Sequence, residues 1–274
     1  MKFKYLIIVF GIIIAFFLVI LAMLPGALLE SEAAASFRNI IWPMFLLLIL
    51  ALIGMVVYFL FNYRLLSLLE REDWPALAFY LEQKIYGKGR YNSRNVRLLA
   101  TSYLVMTDYI GILRLESKAI IAKSSVVEDN ILLFGVTRVL SGSHSEAAAF
   151  FRTHLEKGLL RKAKEEQWLR WFYGFSQMLA GFFSQAEPEF ISLAISSSNA
   201  LVTGLSSYFL YHTLARQSLR PAECRTVAEN GRERVAKMVI NQEGWKKEIE
   251  KSRTEVHITI IMKYINEAGV WLFK

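Results

Sequence analysis

Residues 40–61 read IIWPMFLLLILALIGMVVYFLF, twenty-two positions without one charged side chain. At 1.5 Å per residue a helix of that length covers about 33 Å, enough to cross the roughly 30 Å hydrocarbon layer of a bilayer. In hydrocarbon every backbone amide needs an internal partner, so the run is expected to be helical. Pro43 falls in its expected opening turn, where a missing amide proton does least harm. Residues 5–24 form a second uncharged run, twenty positions long, followed by Pro25. The connection carries Glu30, Glu32 and Arg38 and is short. The two runs are therefore expected to make a transmembrane hairpin over residues 1–61.

The competing reading of the first run is a cleaved signal peptide, with Lys2 and Lys4 as basic leader and the alanines at 33–35 as cleavage site. The run is longer than the ~7–15 apolar residues of a signal core, which favours retention. Orientation is the same under either reading. Lys2 and Lys4 precede the hairpin, Arg64 and Arg71 follow it, and the loop is net acidic. The positive-inside rule then places both termini in the cytoplasm, with the chain multi-pass in an inner membrane. Residues 190–215 also lack acidic and basic side chains, but Ser192, Ser196, Ser197, Ser198, Asn199, Thr203, Ser206, Ser207 and His212 load them with polar groups. That stretch reads as a buried soluble helix pair.

Composition agrees with a tethered soluble part. Over 274 residues the chain is 54% hydrophobic yet 20% charged, too greasy for an ordinary soluble domain and too charged for a fully embedded one. Only five prolines and fifteen glycines favour an all-α fold. The single cysteine, Cys224, excludes an intrachain disulfide and a cysteine-rich zinc site.

From residue 62 onward a short pattern recurs: Glu72-Asp73-Trp74, Thr107-Asp108-Tyr109, Gly142-Ser143-His144 and Gly181-Phe182-Phe183, at spacings of 35, 35 and 39 residues. Each ends on a ring side chain. Such a period is the mark of stacked helix–turn–helix units. The pattern resembles the tetratricopeptide repeat. Val96, Leu99, Ala100 and Tyr103 match that family's first-helix positions, with Ala119 on the second helix. Ile131, Phe134 and Gly135 match next, then Ala147 and Phe151, and finally Tyr173 and Gly174 with Ala186 and Phe190. Small residues at Ala100, Gly135 and Gly174 would let paired helices touch. Departures are Leu77 and Ile112 where the family prefers alanine, Arg138 and Gln177 where it prefers an aromatic, and about four extra residues near 159–166. The resemblance implies an α-solenoid of antiparallel helix pairs over residues 62–193. Its first helix, residues 61–68, would continue the second membrane run. Residues 194–274 are expected to form a helical cap, with a degenerate fifth pair around Pro221, a charged stretch at 246–253, and an apolar tail helix at 255–273 that docks on the rest.

The tetratricopeptide resemblance also implies a concave groove lined by the first helix of each pair, which commonly takes a peptide or partner helix. Carried over residue by residue, its strips are Arg94, Arg97, Thr101 and Leu104; Asp129, Leu132, Val136 and Val139; and Trp168, Trp171, Phe175 and Met178. The last strip is apolar and aromatic. It suits a partner's hydrophobic anchor or, equally, the chain's own tail.

No catalytic or cofactor-binding arrangement stands out. Gly87-Lys88-Gly89 lacks phosphate-loop spacing, Gly174-Phe175-Ser176 lacks the second glycine of a nucleophile elbow, and His144, His154, His212 and His257 show no metal-ligand spacing. No catalytic residue, metal ligand or cofactor is expected, and no small-molecule substrate. The net charge of +8 gathers at Arg152, Lys157, Arg161, Lys162, Lys164 and Arg170, and again at Arg216, Arg220, Arg225, Arg232 and Arg234. These are solvated helix faces or contacts to anionic lipid; interspersed glutamates disfavour nucleic acid.

The layout of two N-terminal membrane helices followed by repeats is similar to that of HemY-type bacterial inner-membrane proteins. It also resembles membrane-bound repeat proteins of spirochaete flagellar assemblies. The expected function is a membrane-anchored scaffold or adaptor that is not an enzyme and binds protein partners at the cytoplasmic face. The alternatives are an accessory subunit of a transport, flagellar or envelope assembly, and a membrane-bound enzyme with an unrecognised site.

Overall fold

The structure is a computed structural model. It describes residues 31–158 and 163–274, together with Val9, residues 11–14, Phe16, Phe17, Val19 and Ile20. Among these residues all regular structure is helical, so the chain is all-α. The described positions of the first apolar run are helical, and all but Gly11 and Ile14 are exposed. The rest of that run, residues 25–30 of the expected connection, and residues 159–162 of the expected insertion lie outside the described residues.

Helix α1 runs Ser31–Glu70, about 60 Å. Its portion Leu46–Glu70 has a mean hydropathy of 2.4, and no part of its apolar window is buried. Among the described residues this is the one helix long and apolar enough to cross a membrane. One span, rather than a pair, is what they carry. The helix starts earlier than expected. Residues 31–39, read as connecting loop, form its first turns, because Glu32 and three successive alanines favour a helix start. Pro43 consequently lies inside α1 and not in its opening turn. Residues 61–68 continue the same helix without a break, as expected.

The chain forms two compact units, Met1–Tyr80 and Leu81–Lys274. After α1 come α2 (Trp74–Glu82, prolonged by a π-helical turn Gln83–Gly87), α3 (Ser93–Val105), α4 (Tyr109–Glu128), α5 (Ile131–Leu140), α6 (His144–Glu156), α7 (Ala163–Leu179) and α8 (Phe183–Ser196). Then follow α9 (Ala200–His212), α10 (Pro221–Val239), α11 (Gln242–Ser252), α12 (Val256–Ile260) and α13 (Met262–Leu272).

The four recurring triplets are four copies of one turn. In each, the first residue takes a positive φ: 54° at Glu72, 57° at Thr107, 81° at Gly142 and 83° at Gly181. In each, that residue's amide bonds the carbonyl three positions back, and the next amide bonds the carbonyl five positions back. Thr107 N reaches Leu104 O at 3.0 Å and Asp108 N reaches Tyr103 O at 2.9 Å; the Leu69/Leu68, Val139/Arg138 and Met178/Gln177 carbonyls serve the other three turns. This is the Schellman closure, which satisfies carbonyls left open at a helix end. The ring residue at the third position opens the next helix each time, at Trp74, Tyr109, His144 and Phe183. Asp73 and Asp108 add side-chain caps, accepting from Ala76 N at 3.2 Å and Gly111 N at 2.8 Å.

Within the larger unit each helix from α3 to α10 packs on its successor, and α3, α5, α7 and α9 each also touch the next odd-numbered helix. This is the neighbour-on-neighbour packing of a helical-repeat stack. Close approach is explicit at Gly135, where a Cβ would lie 2.3 Å from the Phe151 ring. Residues 190–215 are divided by Ser197–Asn199 into α8, which buries Phe190, Leu193 and Ala194 here, and α9, which is largely buried, so packing accounts for the lack of charge without a membrane. The fifth pair exists: α9 packs on α10, which opens at Pro221. The stretch at 246–253 is charged and mostly exposed, but Trp245 beside it is buried between Gly204 of α9 and Gly269 of α13.

Candidate functional site

The groove positions fall on α3, α5 and α7, with Asp129 in the turn just before α5, but they do not form one open surface. On α3, Arg94 and Arg97 are exposed and Thr101 and Leu104 are half-buried. Arg97 reaches across to the start of the next pair. Its Nε donates to Asn130 Oδ1 at 3.0 Å and its guanidinium to the Asp129 carbonyl at 3.2 Å. Asn130 is itself buried and donates to Ser93 Oγ and Val126 O, which fixes the register of α3 against α5. Asp129 is exposed and Leu132 half-buried, while Val136 and Val139 are buried.

The aromatic strip of α7 is fully occupied. Trp168, Trp171, Phe175 and Met178 are all buried, and of the two occupants that the sequence left open, a partner's anchor or the chain's own tail, the tail is the one that lies against this face. The C-terminus is docked as expected of an apolar tail. Helix α12 packs on α5 and α13 packs on α9. The His257 ring lies 5.0 Å from Trp168 and 6.0 Å from Phe172. Tyr264 lies 5.6 Å from Phe175 and 5.2 Å from Phe209, and Trp271 lies 5.4 Å from Tyr211. Trp171 sits deeper, stacked on Phe175 at 4.9 Å and against Phe172, Phe190 and Phe209. Aromatic pairs at these separations contribute beyond their buried area, each about 0.5–1.5 kcal/mol.

Polar contacts anchor the far end of the tail. Tyr208 donates to Glu267 Oε2 at 3.0 Å, and Arg232 donates to the Leu272 carbonyl at 3.0 Å while lying over the Trp271 ring. Burial, and then the bond to Glu267, push the Tyr208 hydroxyl above its ordinary value. His212, 5.8 Å from Trp271, is held below its ordinary value by burial and by Arg216, against an opposing pull from Glu267.

Where the tail begins, a cavity of about 250 Å³ opens between α5, α7 and residues 252–257. Ile131, Leu132, Leu133, Trp168 and Val256 give it an apolar floor, and Arg97, Glu128, Asp129, Glu165 and Glu255 a charged rim. Sequence reasoning placed four groove residues, Arg97, Asp129, Leu132 and Trp168, around this cavity without foreseeing the cavity itself. It also missed α9 as part of the same face. Phe209, Tyr208 and Tyr211 line the tail's seat, and the cue available was their spacing within the uncharged 190–215 stretch.

The family described as "Uncharacterised Treponema protein" matches residues 111–274, well over half of the chain. The chain belongs to that family. A relative within reach of it, described as an uncharacterized protein of Treponema pallidum (strain Nichols), is 27% identical over 236 residues, covering 84% of this chain and 74% of the relative. The family region takes in α5, α7, α9 and the tail, that is, the occupied face and the segment that occupies it. Arg94, Arg97, Thr101 and Leu104 precede it. The family's description carries no tetratricopeptide or HemY label, and the repeat reading rests on the turns and the packing.

Proposed function

We propose that this chain is a membrane-anchored helical-repeat adaptor that binds a protein partner through the inner face of its repeats. The observation that supports it most is the docked tail. An apolar helical segment already lies across α5, α7 and α9, so the face is built to accept such a segment. A partner helix of the same character would compete for the aromatic part, while the exposed Arg94, Arg97 and Asp129, with the half-buried Leu132, offer a more open end beside it. The finer picture belongs to the same proposal: tetratricopeptide-like units, a HemY-type layout, two membrane helices in a hairpin, and both termini on the cytoplasmic side of an inner membrane. The exposed span in α1 supports the anchoring, and Arg64 and Arg71 after it support the orientation.

The test is affinity capture from detergent-solubilised membranes. The full chain, a version ending at Arg253, and the Arg94→Glu variant would be compared for one specific partner. Increased capture by the shortened chain and reduced capture by Arg94→Glu are expected. Identical capture by all three would remove the inner face from the proposal. Retention in the membrane pellet after alkaline carbonate extraction, and a cytoplasm-active reporter at Lys274, test the anchoring and the orientation separately.

A further inference from the structure

We propose that the cavity where the tail begins binds one small organic cation, an amine or guanidine on a short apolar stem, and that the bound cation holds the tail closed. The inference goes beyond the adaptor reading and meets it only at the tail.

The charge at this cavity runs against that of the chain. The protein has 32 basic and 24 acidic side chains, yet the cavity gathers Glu128, Asp129, Glu165 and Glu255 around the single cation of Arg97. Arg97 itself donates to neutral acceptors, the Asn130 side chain and the Asp129 carbonyl. Among the described residues no ion pair reaches the carboxylates of Glu128, Asp129 or Glu255. Acidic residues near helix starts often have a local cause, because the amide end of a helix attracts them. That cause does not cover this gathering. Glu128 is the last residue of α4, the end that disfavours negative charge, and Glu255, just before α12, makes no side-chain cap bond. No group of three or more acidic, His or Cys side chains among the described residues is placed to hold a metal ion. The carboxylates are spread too widely for a bare ion and suit a broader one.

Shape selects the stem and the source. At about 250 Å³ the cavity is smaller than the ~300–1,000 Å³ of sites for drug-sized ligands. Leu132, Trp168 and Val256 give it an apolar floor. An aliphatic stem lies along such a surface while its charged head stays at the water-facing rim. Exposed ion pairs alone contribute little, so the stem contact is what retains the ligand. A partner's lysine or arginine has the same chemistry, but a partner segment that displaced the tail would take residues 254–257 away and one wall with them. The cavity exists only with the tail docked, and a free cation is its occupant. Glu128 and Asp129 belong to the repeats, Glu255 and Val256 to the tail. A ligand that touches both sides binds the closed form alone and shifts the population toward it.

The experiment uses the full chain in a neutral detergent, with n-butylguanidinium as probe and n-butylurea as its uncharged counterpart. Saturation-transfer NMR titrations should give the cation a severalfold higher affinity. The combined substitutions Glu128→Gln, Asp129→Asn and Glu255→Gln keep size and remove charge, and should erase that preference. Leu132→Trp fills the floor and should abolish binding of both probes. Saturating butylguanidinium should slow amide exchange over residues 256–260 severalfold in the unsubstituted chain, read by hydrogen-exchange mass spectrometry, and leave it unchanged in the charge-neutralised one. Equal affinities for the two probes, a preference that survives neutralisation, or binding that persists in Leu132→Trp overturns the site. Binding without slower exchange overturns the hold on the tail. Arg94 does not line the cavity, so identical capture by the full chain, the shortened chain and Arg94→Glu would end the adaptor reading and leave the cation site standing.

Discussion

Thr107 and Gly142 hold equivalent places in successive turns, yet one is β-branched and the other has no side chain. A left-handed backbone costs a residue with a Cβ roughly 1–2 kcal/mol, and more if it is β-branched. Thr107→Gly should therefore raise stability slightly, by up to about 1 kcal/mol after the entropy of the unfolded glycine is counted. Gly142→Ala should lower it by a similar amount, as chemical denaturation would show. Gly135 and Gly174 make a second contrast. A Cβ at Gly135 would meet the Phe151 ring at 2.3 Å, whereas one at Gly174 would find its nearest neighbour at 3.3 Å. Gly135→Ala is expected to destabilise by about 1–3 kcal/mol through overpacking, and Gly174→Ala much less. His212 carries a pH prediction. Its folded value lies below the ordinary 6.5 because burial and Arg216 disfavour the cation, with Glu267 opposing. The unfolded chain then binds more protons between the two values, so stability falls as pH drops below 6.5. His212→Phe should flatten the melting temperature against pH over that window. The close-approach role of Gly135 was legible in the sequence from its place in the repeat. The positive φ of Glu72 and Thr107 was not, because neither residue type advertises a left-handed backbone.

At the level of elements, the repeat period and the positions of the turns could be read directly. A ring side chain recurring at steps of 35, 35 and 39 residues marks a helix start, and the structure puts a helix start there each time. The start of α1 could not be read. Polarity marked residues 31–39 as a loop, but alanine-rich helix outlasts the apolar run, since helix formation depends on backbone propensity and not on greasiness. The aromatic strip on α7 was likewise visible as apolar, but a sequence does not show which of several apolar segments will cover which face. Trp245 decides how firmly that cover is held. It is buried, and a Cβ on Gly204 or Gly269 would lie 2.7 Å from its indole. Trp245→Ala is expected to cost about 3–5 kcal/mol. It should also speed amide exchange in α13 more than in α4, which hydrogen-exchange mass spectrometry would resolve.

For the molecule as a whole, the tail alters how the repeats depend on one another. A stack of helix pairs is quasi-one-dimensional, with each unit stabilised by its neighbours. Here α12 and α13 reach over α5, α7 and α9 together, linking units that are not adjacent. Residues 81–274 should then unfold in one cooperative step in urea, whereas the version ending at Arg253 should give a broader transition with a smaller dependence on denaturant. A tail removal that left the transition unchanged would show that the cross-links carry no coupling. The same docking has a consequence for biosynthesis. Trp168 and Phe175 leave the ribosome nearly a hundred residues before Tyr264 and Trp271 do. At about 5–20 residues per second the nascent chain shows a bare aromatic face for roughly 5–20 seconds. Translation speed over α8 to α11, and whatever chaperone meets the chain in that interval, therefore bear directly on how much of it reaches the folded form.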